Sequence, residues 1–121
     1  MGSYKDLQIY NLSYSLAFRI HRATLKLPQF ELYEQGSQIR RSSKSTKDCI
    51  VEGYGRRKYK AEYIRYLVFA QPSCDEATDQ AKMISELYPT ITDFTDILPE
   101  LDKLGKMIAN YISFVESSWR T

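Results

Sequence analysis

The sequence predicts an all-α fold, and more specifically an antiparallel up-down-up-down four-helix bundle. Apolar residues recur at steps of three and four in four long segments, which is the period of an amphipathic helix. Sustained alternation of apolar and polar residues, which would indicate strands, occurs nowhere. We therefore expect a single domain over residues 1–121, with helices at roughly 6–27, 36–54, 59–88 and 93–118.

The first two predicted helices differ in the size of their inward side chains. The first has a fully apolar seam that ends before Pro28 and consists of Ile9, Leu12, Leu16, Ile20, Ala23 and Leu27. The second has mostly small residues at the corresponding positions, namely Ile39, Ser42, Thr46, Cys49 and Gly53. Because small side chains permit a close approach of backbones, this helix is expected to pack tightly against a neighbour.

The third and fourth helices carry longer seams, and each contains a proline. The third seam consists of Tyr63, Leu67, Ala70, Cys74, Ala77, Ala81, Ile84 and Tyr88. The fourth consists of Phe94, Leu98, Leu101, Gly105, Ile108, Ile112, Val115 and Trp119. Thr92 is the expected N-cap of the fourth helix. Pro72 is expected to bend the third helix, and Pro99 to bend the fourth or to mark its true start.

Composition favours a cytoplasmic protein. No apolar run approaches the roughly 20 residues that span a bilayer. The N-terminus lacks the basic lead and the continuous apolar stretch of a signal peptide. Cys49 and Cys74 fit no metal-binding or redox spacing. On an antiparallel hairpin they would lie on the order of 12 Å apart, so free thiols are expected.

A second set of apolar residues is wider than one core requires. It consists of Tyr10, Tyr14, Phe18, Leu25, Tyr59, Tyr66, Phe69, Ile97, Leu104, Tyr111 and Phe114. Tyrosine, of which there are ten, suits interfaces because one end of the side chain is apolar and the other is polar. We expect a homo-oligomer. The alternative is a monomer that leaves some tyrosines half exposed.

No pattern in the sequence indicates an enzyme, a metal site or a cofactor. His21 is the only histidine, and Phe18 stands where a di-iron bundle would need a glutamate. Nucleophile triads, phosphate-binding loops and dinucleotide fingerprints are absent from the sequence. We expect no catalytic residue and no metal ligand.

Two acidic residues of the central helices are predicted to join them structurally. If residues pair when their numbers total about 115, Glu76 lies level with Arg40 and Arg41, and Glu52 lies level with Tyr63. We expect an inter-helix clamp formed by an ion pair from Arg40 or Arg41 to Glu76 and a hydrogen bond from Tyr63 to Glu52. Such pairs fix the register of helices more surely than they add stability.

The charge of the chain is uneven although its net value is only +2. Residues 36–60 hold eight basic and two acidic residues, whereas residues 61–121 hold five basic and ten acidic residues. The densest basic stretch interleaves cations with aromatic rings and consists of Tyr54, Arg56, Arg57, Lys58, Tyr59 and Lys60. Cations hold phosphates and rings stack on bases, so this stretch is a candidate nucleic-acid site. The alternative is a solvated turn.

Several blocks of the sequence resemble a bacterial protein family encoded in intervening sequences of 23S ribosomal RNA genes, which is loosely labelled a ribosomal protein. QIRRSS at residues 38–43 is similar to the most specific motif of the family. DLQIY at 6–10, LPQFELY at 27–33 and LGKMIANYIS at 104–113 resemble other parts of its pattern. Ile50, Glu52, Gly53 and Arg56 resemble its I-x-E-G-x-x-R block. The likeness covers roughly residues 6–115.

The resemblance implies an antiparallel four-helix bundle that assembles as a homopentamer, with no enzymatic activity. Together with the basic stretch, it leads us to expect a module that binds RNA or another nucleic acid through the second helix and the following turn. The alternative is a protein-interaction scaffold or accessory subunit that has a protein partner and no direct contact with nucleic acid. We expect no cofactor and no membrane association.

Overall fold

The all-α class is confirmed. The structure is a computed structural model that describes residues 2–120, and within that range it contains helices and no strand. A 3₁₀ turn, Tyr4–Asp6, is followed by α1 (Gln8–Thr24), α2 (Gln29–Leu32), α3 (Gln35–Gly55), α4 (Lys60–Leu87) and α5 (Thr92–Ser118). The four long helices begin and end within three residues of the bounds expected from the sequence. The one-turn helix α2 was not foreseen.

Each long helix packs against two others. α1 contacts α3 and α5, and α4 contacts the same two helices, so α1 and α4 lie at opposite corners of the bundle. Side-chain contacts set the relative positions of α3 and α4: Ser42 Oγ donates to Gln80 Oε1 at 2.6 Å, and Ser45 Oγ lies 3.0 Å from Ser73 Oγ. Residue numbers along these contacts therefore rise on α3 as they fall on α4.

The predicted seams form one continuous core. Leu16, Ile39, Leu67, Phe94 and Ile108 are all essentially inaccessible to solvent. Complete burial of a large apolar side chain contributes about 1.5–3 kcal/mol, so this core is the main source of stability. Ile97 and Leu104, which were predicted to lie in a second apolar set outside the core, belong to this core instead. They do so because the seam of α5 faces both α1 and α4.

Small residues of α3 bring it close to α4, as their spacing suggests. A Cβ atom added at Gly53 would lie 3.2 Å from Tyr66 Cβ and 3.4 Å from Tyr63 Cδ1. Ser42, Ser43 and Thr46 are buried; Ser43 and Thr46 each donate to a backbone carbonyl three or four residues earlier, and Ser42, whose proton goes to Gln80, also lies 3.3 Å from the Ile39 carbonyl. This local bonding lets polar residues occupy the core without unpaired donors.

The ends and prolines of the helices differ in detail from expectation. Thr92 is the first residue of α5 rather than its N-cap; Ile91 occupies that position and provides no side-chain cap. Pro72 lies within α4 and Pro99 within α5, and both helices continue through them. Pro99 therefore does not mark the start of α5. Cys49 and Cys74 are free thiols.

The predicted clamp between α3 and α4 is replaced by other contacts. Arg40 donates from Nη1 to Thr24 Oγ1 at 3.0 Å and from Nη2 to the Leu32 carbonyl at 2.7 Å. Arg41 donates, among the described residues, only to Ser37 Oγ on its own helix. No ion pair within residues 2–120 includes Glu76, although it lines the same shallow groove as Arg41. Both guanidinium groups point to other partners instead.

The second half of the clamp differs in the same way. Tyr63 is fully buried, and its hydroxyl lies 2.7 Å from the hydroxyl of Tyr111 on α5 rather than near Glu52, which is exposed. The buried carboxylate that does join two elements is Glu31 of α2. Its Oε2 accepts a 2.7 Å hydrogen bond from the hydroxyl of Tyr88. This contact fastens α2 to the end of α4.

Candidate nucleic-acid interface

The predicted basic stretch forms the turn between α3 and α4. α3 ends at Gly55 and α4 begins at Lys60. Backbone hydrogen bonds hold the turn: Arg56 N donates to the Gly53 carbonyl at 3.0 Å, and Tyr59 N donates to the Arg56 carbonyl at 2.9 Å. The chain reverses within four residues, and the four cations therefore lie at one end of the molecule.

Arg57 is held within the protein. Its guanidinium carbon lies 4.1 Å from the centroid of the Tyr54 ring, and its Nη1 donates to the Tyr54 carbonyl at 2.9 Å. The Arg57 carbonyl in turn accepts a 3.0 Å hydrogen bond from Trp119 Nε1. Tyr54 is half-buried, and its ring meets that of Tyr63 edge-on at 6.2 Å. The structure thus gives Arg57 and Tyr54 a role in shaping the turn.

Arg56 lies on the outer surface beside α4. Its guanidinium stacks 4.6 Å from the centroid of the Tyr66 ring and lies 3.8 Å from Glu62 Oε1. Glu62 is shared, because Arg65 Nη1 lies 3.5 Å from its other oxygen. One carboxylate between two guanidinium groups leaves a net positive charge at this position.

The remaining predicted residues are open to a ligand. Lys58 and Tyr59 are exposed and Lys60 is half-buried. In the part of the chain that the structure describes, neither lysine has a carboxylate within 4 Å. Lys58 Nζ lies 5.7 Å from the centroid of the Tyr59 ring, and Tyr59 is 64% exposed. A cation beside an accessible ring is the arrangement that binds a phosphate and stacks a base.

Three further residues, which were not predicted as part of the nucleic-acid site, extend this surface along α4. Arg65 lies 5.9 Å from the ring centroid of Tyr66 and 5.4 Å from that of Phe69. The two rings meet edge-on at 5.6 Å. Alternation of cation and ring thus runs from Arg56 through Tyr66 and Arg65 to Phe69. The spacing of 62, 65, 66 and 69 at helical intervals was available in the sequence.

An aromatic cluster centred on the fully buried ring of Tyr63 supports the turn. Trp119 packs edge-on against Tyr63 at 5.1 Å, and Tyr63 packs against Tyr111 at 6.1 Å. Burial, followed by the hydrogen bond with Tyr111, raises the pKa of the Tyr63 hydroxyl far above its ordinary value. Burial also raises the pKa of Tyr111. Both phenols therefore stay protonated and neutral, and the cluster acts as a rigid support.

Two cysteines and one histidine lie outside this surface. Burial raises the pKa of the Cys74 thiol to about 11 and also raises that of Cys49, so neither is a ready nucleophile. His21 Nδ1 lies 3.1 Å from Lys44 Nζ. Desolvation, together with the charges of Lys44 and Arg40, lowers the pKa of His21. Across residues 2–120, no group of three His, Cys, Asp or Glu side chains is placed to hold a metal ion.

None of the helices described here is long and apolar enough to cross a membrane. No curated protein is significantly similar in sequence to the chain. A family model described as the 23S rRNA-intervening sequence protein matches residues 5–110, which include α1 to α4 and most of α5. The match covers the α3–α4 turn and the cation–ring surface of α4. By this match, the chain belongs to the 23S rRNA-intervening sequence protein family.

Proposed function

We propose that the α3–α4 turn binds the phosphate backbone of RNA, and that the protein has a binding role rather than an enzymatic one. The observation that carries the proposal is the pair Lys58 and Lys60, which have no carboxylate partner within residues 2–120 and lie beside the exposed ring of Tyr59. Arg56 and Arg65 add positive charge next to Tyr66. The two free thiols fit the reducing cytoplasm, where we place this function.

Binding at this surface is expected to be largely independent of sequence. Phosphate contacts position a nucleic acid, whereas base-edge contacts specify it. The turn offers cations and ring faces rather than an element shaped to enter a groove. Every base has a π-face, so stacking on Tyr59 tolerates any sequence. The preferred ligand is therefore a flexible single strand.

We also propose that the four long helices run antiparallel, up-down-up-down, and that the protein assembles as a homopentamer. The hydrogen bonds that join α3 to α4 support the first part. The number five rests on the resemblance of the sequence motifs, and self-association is supported by exposed apolar residues such as Phe18 and Phe69. Five turns on one assembly would bind one strand more tightly through effective concentration.

The test is the affinity for a single-stranded RNA at several salt concentrations. Lys58→Ala with Lys60→Ala is expected to weaken binding and to reduce the slope of log K against log salt by about 0.7 for each phosphate that the variant no longer binds. The matched control is Lys103→Ala with Lys106→Ala, which removes the same charge from exposed positions of α5. Equal slopes for the wild type and the turn variant, or no binding at low salt, would contradict the proposal.

The second candidate function is a protein-interaction scaffold. It is favoured by α2 and the residue after it, where Phe30 is 66% and Tyr33 is 78% exposed. If this function is correct, Phe30→Ser with Tyr33→Ser abolishes capture of one defined polypeptide, while the lysine variant of the turn leaves that capture unchanged. If only nucleic acid is captured, and the lysine variant fails to capture it, the scaffold is excluded.

A further inference from the structure

Two exposed faces of the molecule combine apolar side chains with opposite charge. The first, the basic face, consists of Tyr14, Phe18, His21, Arg22 and Leu25 of α1 with Lys44 of α3. The second, the acidic face, consists of Val68, Phe69, Pro72, Asp75, Glu76 and Asp79 of α4. It meets the cation and ring surface described above at Phe69, whose ring centroid lies 5.4 Å from the Arg65 guanidinium. Every one of these residues is exposed, including Phe18 at 52% and Phe69 at 44%.

The charges of both faces lack internal partners. No ion pair within residues 2–120 includes Arg22, Lys44, Asp75, Glu76 or Asp79. Lys44 instead lies 3.1 Å from the His21 ring nitrogen, and Arg22 stacks 5.6 Å from the ring centroid of Phe18. Elsewhere on the surface, cations such as Arg19 and Lys26 are paired with carboxylates of α5. The basic face is thus left with its charge available.

The two faces point in different directions. α1 and α4 share α3 and α5 as neighbours and lie at opposite corners of the bundle. A single copy therefore cannot bring the faces together. Contact between two copies of the same face would place like charges against each other. Contact between the basic face of one copy and the acidic face of another places opposite charges together and buries apolar surface on both sides.

We propose that copies of this chain associate head to tail, with the basic face of one copy against the acidic face of the next. Arg22 and Lys44 of one copy face Glu76 and Asp79 of its neighbour, and Phe18 packs against Val68 and Phe69. A head-to-tail contact uses different surfaces on each copy, so it closes into a ring or continues as a filament. This inference rests on the self-association proposed above and names the surfaces that carry it.

The experiment is charge reversal followed by measurement of mass in solution by sedimentation. Arg22→Glu with Lys44→Glu reverses the basic face, and Glu76→Lys with Asp79→Lys reverses the acidic face. Each double variant alone opposes like charges, so its dissociation constant is expected to rise by about a hundredfold or more. Mixing the two variants restores complementary charges at the contacts between unlike copies, so the mixture is expected to associate again. A closed ring of five would still contain one contact between like copies, so the expected result is a mass well above that of either variant alone.

The controls separate this assignment of faces from the proposals of self-association and RNA binding. Lys103→Glu with Lys106→Glu makes the same change in net charge on another exposed surface and is expected to keep the wild-type mass. If a reversed variant fails to fold, the neutral variant Arg22→Gln with Lys44→Gln takes its place. It is expected to raise the dissociation constant by less. A wild-type oligomer whose mass neither reversal changes, or a mixture that stays dissociated, would overturn the assignment of faces and leave self-association intact. A monomeric wild type would overturn both, and RNA affinity is measured independently.

Discussion

Arg40 is a residue whose contacts connect three separate segments. From α3 it reaches Thr24 at the end of α1 and the backbone carbonyl of Leu32 at the end of α2. Gly36 makes room for it, because a Cβ atom there would lie 3.0 Å from Arg40 Nη1. The guanidinium thus satisfies a carbonyl that the end of a helix would otherwise leave without a partner.

Replacement of Arg40 by alanine is expected to destabilise the protein by about 1–3 kcal/mol, because a charged hydrogen-bond donor is removed and the Leu32 carbonyl is left without it. The measurement is urea denaturation. Arg41→Ala is the matched control, since it removes the same charge from an exposed side chain and should change stability by no more than about 0.5 kcal/mol. An equal destabilisation at Arg41 would indicate that the ion pair with Glu76 forms after all.

Which residues form the turn could be predicted from the sequence, but not what each of them contacts. Basic residues and rings that follow Gly53 and Gly55 indicated a surface site. That Arg57 lies over Tyr54, while Lys58 has no carboxylate partner among the residues that the structure describes, depends on side-chain rotamers and on the position of Trp119, which is 62 residues away. Neither follows from the periodicity of a helix. The hydrogen-bond partners of Arg40 and Arg41 on α3 were not predicted for the same reason.

Two glycines within helices differ in whether packing requires them. At Gly36 of α3 an added Cβ would meet the Glu31 carbonyl at 2.8 Å, so α2 and α3 can be this close only without a side chain. At Gly105 of α5 the nearest atom would be Cys74 Sγ at 3.9 Å, which is an ordinary contact. Of these two glycines, only Gly36 is required by packing.

Gly105→Ala is expected to raise the thermal midpoint and to stabilise the protein by about 0.5–1 kcal/mol, because alanine loses less backbone entropy than glycine in a helix. Gly36→Ala is expected to destabilise it by about 1–3 kcal/mol, since a backbone carbonyl must move. Calorimetry of the two variants makes the comparison. A destabilising effect at Gly105 would show that α5 and α4 pack too closely to admit a methyl group.

The start of α5 is joined to the end of α1 by an ion pair. Lys26 Nζ contacts both carboxylate oxygens of Asp93, at 2.8 and 3.0 Å. The hydrogen bond from Lys26 is the main cause that lowers the pKa of Asp93 from its ordinary value of 3.8. Because the folded state binds this proton less readily than the unfolded state, the contribution to stability is present above about pH 4 and is lost as the pH falls through the folded pKa.

Asp93→Asn is therefore expected to lower the free energy of unfolding at neutral pH by about 0.2–1 kcal/mol, as for other partly exposed pairs. The difference from wild type should shrink as the pH falls below about 4. Urea denaturation between neutral and acidic pH provides the comparison. Asp96→Asn, a change at a nearby exposed carboxylate, serves as the control. A difference that is constant with pH would mean that the ion pair does not contribute.

At the scale of the whole molecule, the long helices were predictable because the buried seams repeat at about 3.6 residues over many turns. The short helix α2 was not, because a single turn carries no periodicity. Its position depends on the contacts of Glu31 and Arg40 with distant residues. The distribution of charge along the chain was visible in the sequence. Only the packing order of the helices places the basic and acidic faces at opposite corners.

Salt should separate the electrostatic and the apolar contributions to head-to-tail association. Raising the salt concentration from about 0.05 to 0.5 M shortens the screening length and weakens attraction between exposed charges. The dissociation constant of the wild type is expected to rise over this range, as measured by sedimentation. The neutral variant at Arg22 and Lys44 should respond less. Tighter association at high salt would mean that apolar contact dominates and that the charges are incidental.

The hydrogen bond from Trp119 to the carbonyl of Arg57 has a practical consequence. Trp119 is the only tryptophan in the chain, and it contacts both the turn and the buried ring of Tyr63. Its fluorescence therefore has a single source, located directly beneath the surface proposed to bind RNA. A ligand that displaces the Arg57 backbone by a fraction of an ångström alters the environment of the indole N–H. Occupancy of the turn can accordingly be followed by emission from the unlabelled protein.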